Sequence, residues 1–265
     1  MHSGVLEYAI SKDWGRWMGQ IEKKTAVITG AETEIGREIA RRFFDEGASI
    51  LLAGTNEGAL KEICSQIDPG GNRVFPVTFD FSKDDDCREL VKFAVAQTGR
   101  IDILVNHFDY KKPGRLDEVQ LDLWNEIMAT NALAPWRLGV AVLPEMRKVG
   151  GGAIVNISSI AGEIGFSGMG LYCTSHAAIQ MLFRVMAKEL SPDNIRVNLI
   201  CPAIVMDTED QVPETNNAPS PELRGESGNP KDVADAALFL VSDRSEWLTG
   251  ITLNLDGGRH LSPNP

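Results

Sequence analysis

The chain has 265 residues, a net charge of −11, 43% hydrophobic and 24% charged residues. That length fits one large α/β domain, which buries roughly 70–75% of its unfolded surface and needs no disulfides to hold a core. The negative balance repels nucleic-acid phosphate and anionic membrane surfaces, so neither is an expected partner.

From Lys24 to Leu255, apolar runs alternate with helical patterns. The runs predict strands at Thr25–Thr29, Ser49–Ala53, Arg73–Thr78, Ile103–Asn106, Ala153–Ile157, Arg196–Ile200 and Ile251–Leu255. Helices are predicted at Ile35–Glu46, Glu57–Gln66, Lys83–Gln97, Leu121–Val149 with a break, Tyr172–Leu190 and Pro230–Ser242. Most strand runs are continuously apolar, as when both faces of a sheet are covered. Repeated strand–helix–strand units with short links predict a doubly wound α/β fold: a seven-stranded parallel sheet with helices on both faces.

The expected organisation is an N-terminal extension (1–22), one domain (23–258) and a short tail (259–265). Trp14, Trp17 and Met18 in the extension either pack on a neighbour or fray. Residues 207–229, rich in Pro, Asn and Glu, predict a surface loop over the carboxyl edge of the sheet, where substrates bind in such folds. No run of about 18 apolar residues occurs, so no membrane span is expected, and the first twenty residues do not read as a secretory signal. Cys64, Cys87, Cys173 and Cys201 form no C-x-x-C pair and read as reduced thiols of a cytoplasmic protein. His2, His107, His176 and His260 lack metal-ligand spacing, so no metal is expected.

Two segments carry chemistry. After the first strand comes Thr29-Gly-Ala-Glu-Thr-Glu-Ile-Gly-Arg37, in the strand–turn–helix context that binds pyrophosphate on free backbone N–H groups. Later, Ala153–Ile157 delivers Ser158 and Ser159, and a Gly-rich loop leads to a helix with Tyr172 and His176 four residues apart on one face. This second segment resembles the active-site segment of the short-chain dehydrogenase/reductase family, whose pattern is Ser, twelve residues, then Tyr-x-x-x-Lys. Ser159 and Tyr172 stand at that spacing, and His176 stands at the Lys position. The resemblance runs from Lys23 to Gly258. It includes Arg196-Val-Asn-Leu-Ile-Cys-Pro202 and Leu248–Gly258, and it implies a Rossmann-like fold.

The resemblance implies NAD or NADP as cofactor, contacted by Gly30, Glu34, Ile35, Gly36, Asp80, Asn106 and Val205. Three residues around this cleft depart from the family pattern. Glu34 replaces the middle glycine of the turn. Phe108 and Asp109 replace the small Ala-Gly pair after Asn106. Two readings of the turn stay open. Either Glu34 swings to solvent and dinucleotide still binds, or Glu34 or Glu32 folds over the helix start and satisfies its N–H groups, a placement worth roughly 0.3–1 kcal/mol. Neither an acid near Gly54 nor a basic residue near Thr55 is present, so the choice between NAD and NADP is not legible.

By resemblance the catalytic roles fall on Tyr172 as proton donor or acceptor, Ser159 on the substrate oxygen, His176 in the lysine's place and Asn131 on a water. A free tyrosine titrates near ~10, and bringing it to about 7 requires roughly 4 kcal/mol of preferential phenolate stabilisation. A fixed cation supplies that; an imidazole does so only with an acid beside it. Glu163 and Asp109 are the candidates for that acid. Pro135 gives no N–H to the Asn131 carbonyl, which either holds a water or marks a plain kink.

The leading expectation is hydride transfer between NAD(P) and an alcohol or carbonyl. The alternatives are a redox-silent binding protein with impaired dinucleotide binding, or a redox-neutral lyase, isomerase or dehydratase using Ser159, Tyr172 and His176. The expected partners are a small-molecule substrate and a second copy, in a dimer or tetramer built on Leu121–Val149 and Tyr172–Leu190.

Overall fold

The computed structural model describes residues 19–80, 83–203, 205 and 227–261. The strands are β1 (Thr25–Thr29), β2 (Ser49–Gly54), β3 (Val74–Thr78), β4 (Ile103–His107), β5 (Gly152–Ile157), β6 (Ile195–Pro202) and β7 (Thr252–Leu255). All seven are parallel, in the order β3-β2-β1-β4-β5-β6-β7. The helices are α1 (Glu34–Asp45), α2 (Glu57–Ile67), α3 (Asp84–Thr98), α4 (Leu121–Met128), α5 (Ala134–Lys148), α6 (Gly170–Leu190) and α7 (Pro230–Val241). Each predicted strand and helix is present, with ends displaced by two residues at most.

β1 explains the continuous apolar runs. Ala26 and Ile28 join a core with Phe43 of α1, Leu60 of α2 and Leu238 of α7. Val27 faces the opposite layer, with Leu90 of α3, Leu138 of α5 and Phe183 of α6. Alternate residues serve opposite faces, and both faces are covered. Phe43 and Phe183 are fully buried, each contributing about 1.5–3 kcal/mol by leaving water.

The predicted break in Leu121–Val149 is a π turn, Ala129–Leu133, between α4 and α5. Pro135 has no N–H for the Asn131 carbonyl, and the Ala134 N–H reaches back to the Ala129 carbonyl. The wide turn leaves Asn131 buried. Strand order reverses at β1 and β4, which opens a crevice above their carboxyl ends. Trp14, Trp17, Met18, most of the 207–229 loop and residues 262–265 lie outside the described residues. Among the described residues, no helix is long and apolar enough to cross a membrane, and no cluster of His, Cys, Asp or Glu could hold a metal.

Candidate active site

The first turn is held by its threonine. Thr33 caps α1: its Oγ1 accepts from Gly36 N at 3.1 Å, donates to the Gly30 carbonyl at 2.8 Å and lies 3.0 Å from His107 Nδ1. A hydroxyl has one proton to give, so with Gly30 as its acceptor His107 Nδ1 carries the hydrogen. Burial lowers the His107 pKa, which keeps the ring neutral. Gly30 has φ +65°, and a Cβ there would overlap the His107 carbonyl. The glycine is therefore required both by its backbone conformation and by the close approach of β4.

Of the two readings of the turn, neither acid closes over α1. Glu34 is exposed. Glu32 crosses to β2 instead. Its Oε1 accepts from Thr55 N at 2.6 Å and Asn56 N at 2.9 Å, and a Cβ on Gly54 would overlap its carboxylate. Among the described residues, no protein acceptor meets the N–H groups of Glu34 and Ile35 at the α1 start. That free pair fits a phosphate. The residues therefore suit a dinucleotide at its phosphate end, where Gly30, Glu34, Ile35 and Gly36 would hold it.

Phe108 does not crowd the crevice. It is 5% exposed and packs in the α3–α5–α6 core. Asn106 is fully buried and donates to the Pro135 carbonyl at 3.1 Å, tying β4 to α5. Asp80 is exposed and pairs with Lys83 at 3.0 Å. Val205 is half-buried and bridges to Gly228.

The catalytic candidates converge. Tyr172 Oη donates to Asp109 Oδ1 at 2.7 Å. His176 packs edge-on against the Tyr172 ring, centroids 4.3 Å apart. Its Nδ1 meets Ser158 Oγ at 3.0 Å, and its Nε2 lies 3.7 Å from Asp109 Oδ1. At that distance the pair is not a hydrogen bond, and the buried Nε2 has no hydrogen-bond partner. Ser159 Oγ accepts from Ala161 N at 3.1 Å and lies beside the Tyr172 hydroxyl. Gln180 donates to the Ser159 carbonyl at 2.8 Å and to Ser158 Oγ at 3.3 Å, fixing the end of β5. Glu163 takes no part: it accepts from Asn254 at 2.8 Å and faces Arg184.

Asn131 grips the segment that carries Asp109. Its Oδ1 accepts from Tyr110 N and its Nδ2 donates to Tyr110 O, each at 2.8 Å, and Nδ2 also reaches Ser175 Oγ at 3.0 Å. The side chain thus positions the residue next to Asp109.

The electrostatics follow from these contacts. Burial pushes the Tyr172 phenol up, and the Asp109 carboxylate beside it pushes it further; the Ser159 hydroxyl opposes them weakly. Burial would raise the Asp109 carboxyl, but His176 and Tyr172, with Lys111 beyond, hold it well below the usual carboxylate range. At neutral pH the site contains a neutral phenol donating to a carboxylate. Cys201 beneath it is buried, which pushes its thiol up to about 12; Cys64, Cys87 and Cys173 are also free thiols.

A parallel sheet with a glycine turn at its switch point, Ser159 just past the end of β5 and Tyr172 in the first turn of α6 define a Rossmann-like, doubly wound α/β protein. The family profile described as short chain dehydrogenase matches residues 24–218. The chain is 36% identical over 247 residues to the 7alpha-hydroxysteroid dehydrogenase of Escherichia coli, covering 90% of this chain and 95% of that one. It is 33% identical over 244 residues to the 2,5-dichloro-2,5-cyclohexadiene-1,4-diol dehydrogenase LinX of Sphingobium indicum, covering 89% and 95%. A crystal structure of a short-chain type dehydrogenase/reductase from Mycobacterium marinum superposes with a TM-score of 0.83 at 28% identity, covering 92% of this chain and 96% of that one. The chain belongs to the short-chain dehydrogenase/reductase family, whose members use NAD(P).

Proposed function

We propose that the protein oxidises a secondary alcohol with a nicotinamide dinucleotide, using Asp109 as the final proton acceptor behind Tyr172. The single observation that carries this reading is the 2.7 Å bond from Tyr172 Oη to Asp109 Oδ1. The dinucleotide, when bound, supplies the hydride acceptor; the chain's own residues handle the proton. Ser159 Oγ orients the substrate hydroxyl. Because Tyr172 gives its proton to Asp109, its oxygen offers a lone pair to that hydroxyl. As the substrate proton bonds to Tyr172 Oη, the original phenol proton passes to Asp109 Oδ1. Tyr172 ends neutral, and Asp109 ends protonated. No phenolate forms, so the fixed cation of the family pattern is not required. His176 stands as a positioning residue that holds the Tyr172 ring and faces Asp109. The named relatives include a diol dehydrogenase and a hydroxysteroid dehydrogenase, which supports an alcohol as substrate.

A second reading is favoured by the partnerless His176 Nε2 and the missing lysine: a family member that binds dinucleotide without turning it over. Titration with NAD(H) and NADP(H), followed by a panel of secondary alcohols, separates the two. Binding with turnover supports oxidation, binding without turnover supports the second reading, and no binding at millimolar concentration overturns both.

The proposed assembly is a homodimer through α5 and α6. These helices expose Trp136 and Val140, and Met181 and Val185, respectively, a stripe suited to burial against a second copy. A cytoplasmic setting is proposed on the free thiols.

A further inference from the structure

We infer that Glu32 selects a dinucleotide with a free ribose 2′-hydroxyl and rejects one that carries a 2′-phosphate; this rests on the dinucleotide reading above. In sheets of this kind an acid at the end of the second strand accepts from the ribose 2′-hydroxyl. Here β2 ends in Gly54 and has no acid of its own. The structure brings one from a different segment. Glu32, in the turn after β1, lays its carboxylate against Gly54, in space that a Cβ at that position would fill.

The two carboxylate oxygens have different occupations. Oε1 takes the Thr55 and Asn56 N–H groups and lies 3.5 Å from Thr55 Oγ1. Those backbone donors are the ones a phosphate would need at the start of α2, and they are already used. Among the described residues Oε2 receives no protein donor, and no Lys or Arg pairs with Glu32. Oε2 is thus available to a hydroxyl, which donates. A phosphate brings only acceptors and two negative charges beside a carboxylate, a like-charge juxtaposition that disfavours it. The turn and the strand end act together: the glycine makes the room, and the glutamate sets the sign of the charge.

The test is calorimetric titration of the full chain with NADH and NADPH, for the parent, Glu32→Gln and Glu32→Ala, with circular dichroism to verify that each variant folds. The parent is expected to bind NADH more tightly than NADPH by about tenfold or more. Glu32→Gln keeps the shape and the acceptor for the two N–H groups but removes the charge, so it strengthens NADPH binding. Glu32→Ala weakens NADH as well, and the preference falls by about tenfold. A parent that prefers NADPH, or a ratio unchanged in both variants, overturns the inference and leaves the dinucleotide reading standing. Binding of neither dinucleotide by any of the three proteins overturns that reading and the inference together.

Discussion

Replacing Asp109 by Asn removes the charge beside Tyr172 while keeping an oxygen that can accept its proton. Two unit charges 2.7 Å apart interact by about 6 kcal/mol at an effective dielectric of 20 and by about 1.5 kcal/mol in water. Tyr172 is half-buried, so an intermediate figure of about 3 kcal/mol applies, or about two pK units. The Tyr172 midpoint in Asp109→Asn is therefore expected about two units below that of the parent. Carbon-13 NMR of the tyrosine Cζ resonances reads it, with Tyr172→Phe assigning the signal. The same variant should lose alcohol oxidation at pH 7 by about a hundredfold, the usual scale of a general base. Equal Tyr172 midpoints in the two proteins would refute the reasoning, because the carboxylate would then not be setting the phenol's proton affinity.

Other outcomes follow from neighbouring contacts. The double variant Asp109→Gly, His176→Lys recreates the family pattern and is expected to give oxidation that rises with pH; kinetics that stay independent of pH would contradict the role given to Asp109. Asn131→Ala removes both bonds to the Tyr110 backbone, so the Tyr110 amide should lose hydrogen-exchange protection, with a stability loss of about 1–3 kcal/mol in urea. Phe183→Ala empties a fully buried site and should cost about 3–5 kcal/mol by the same measurement. Asp109 is also a stability element: its folded pKa is depressed, so its contribution is complete above the ordinary value near 4 and is lost as pH falls below it. Acid unfolding should therefore be steeper for the parent than for Asp109→Asn between about pH 4 and 2. Met181→Asp, on the exposed stripe of α6, should shift a dimer to a monomer on a sizing column.

The sheet was legible in the sequence because parallel strands covered on both faces leave unbroken apolar runs, as β1 does. Ser159, Tyr172 and His176 were legible from spacing, since a strand end and one helix turn fix where they meet. Contacts made across the fold were not. Asp109 lies 63 residues before Tyr172, and sequence marks it only as one of two acids that could face His176. Glu163, the other, turns to Asn254. Gln180 was missed, although its place four residues after His176 puts it on the same helix face. Sequence shows that Phe108 stands where the family has a small residue but not which way its side chain turns at a strand end; it packs inward. The turn after β1 was legible in part: Glu34 in solvent is one of the two readings, whereas the reach of Glu32 to β2 belongs to neither. Thr33, immediately before the first helical residue, is a favoured N-cap type, and its capping of α1 leaves Glu32 free to reach β2.

The pH dependence of alcohol oxidation, measured in a single turnover with dinucleotide saturating, tests the Tyr172–Asp109 pair most directly. A carboxylate held below its usual range is ionised throughout the working range, so the rate is expected to stay level from about pH 5 to 9. A rate that climbs tenfold per pH unit toward a tyrosine midpoint, or dinucleotide bound with no turnover at any pH, would contradict the account.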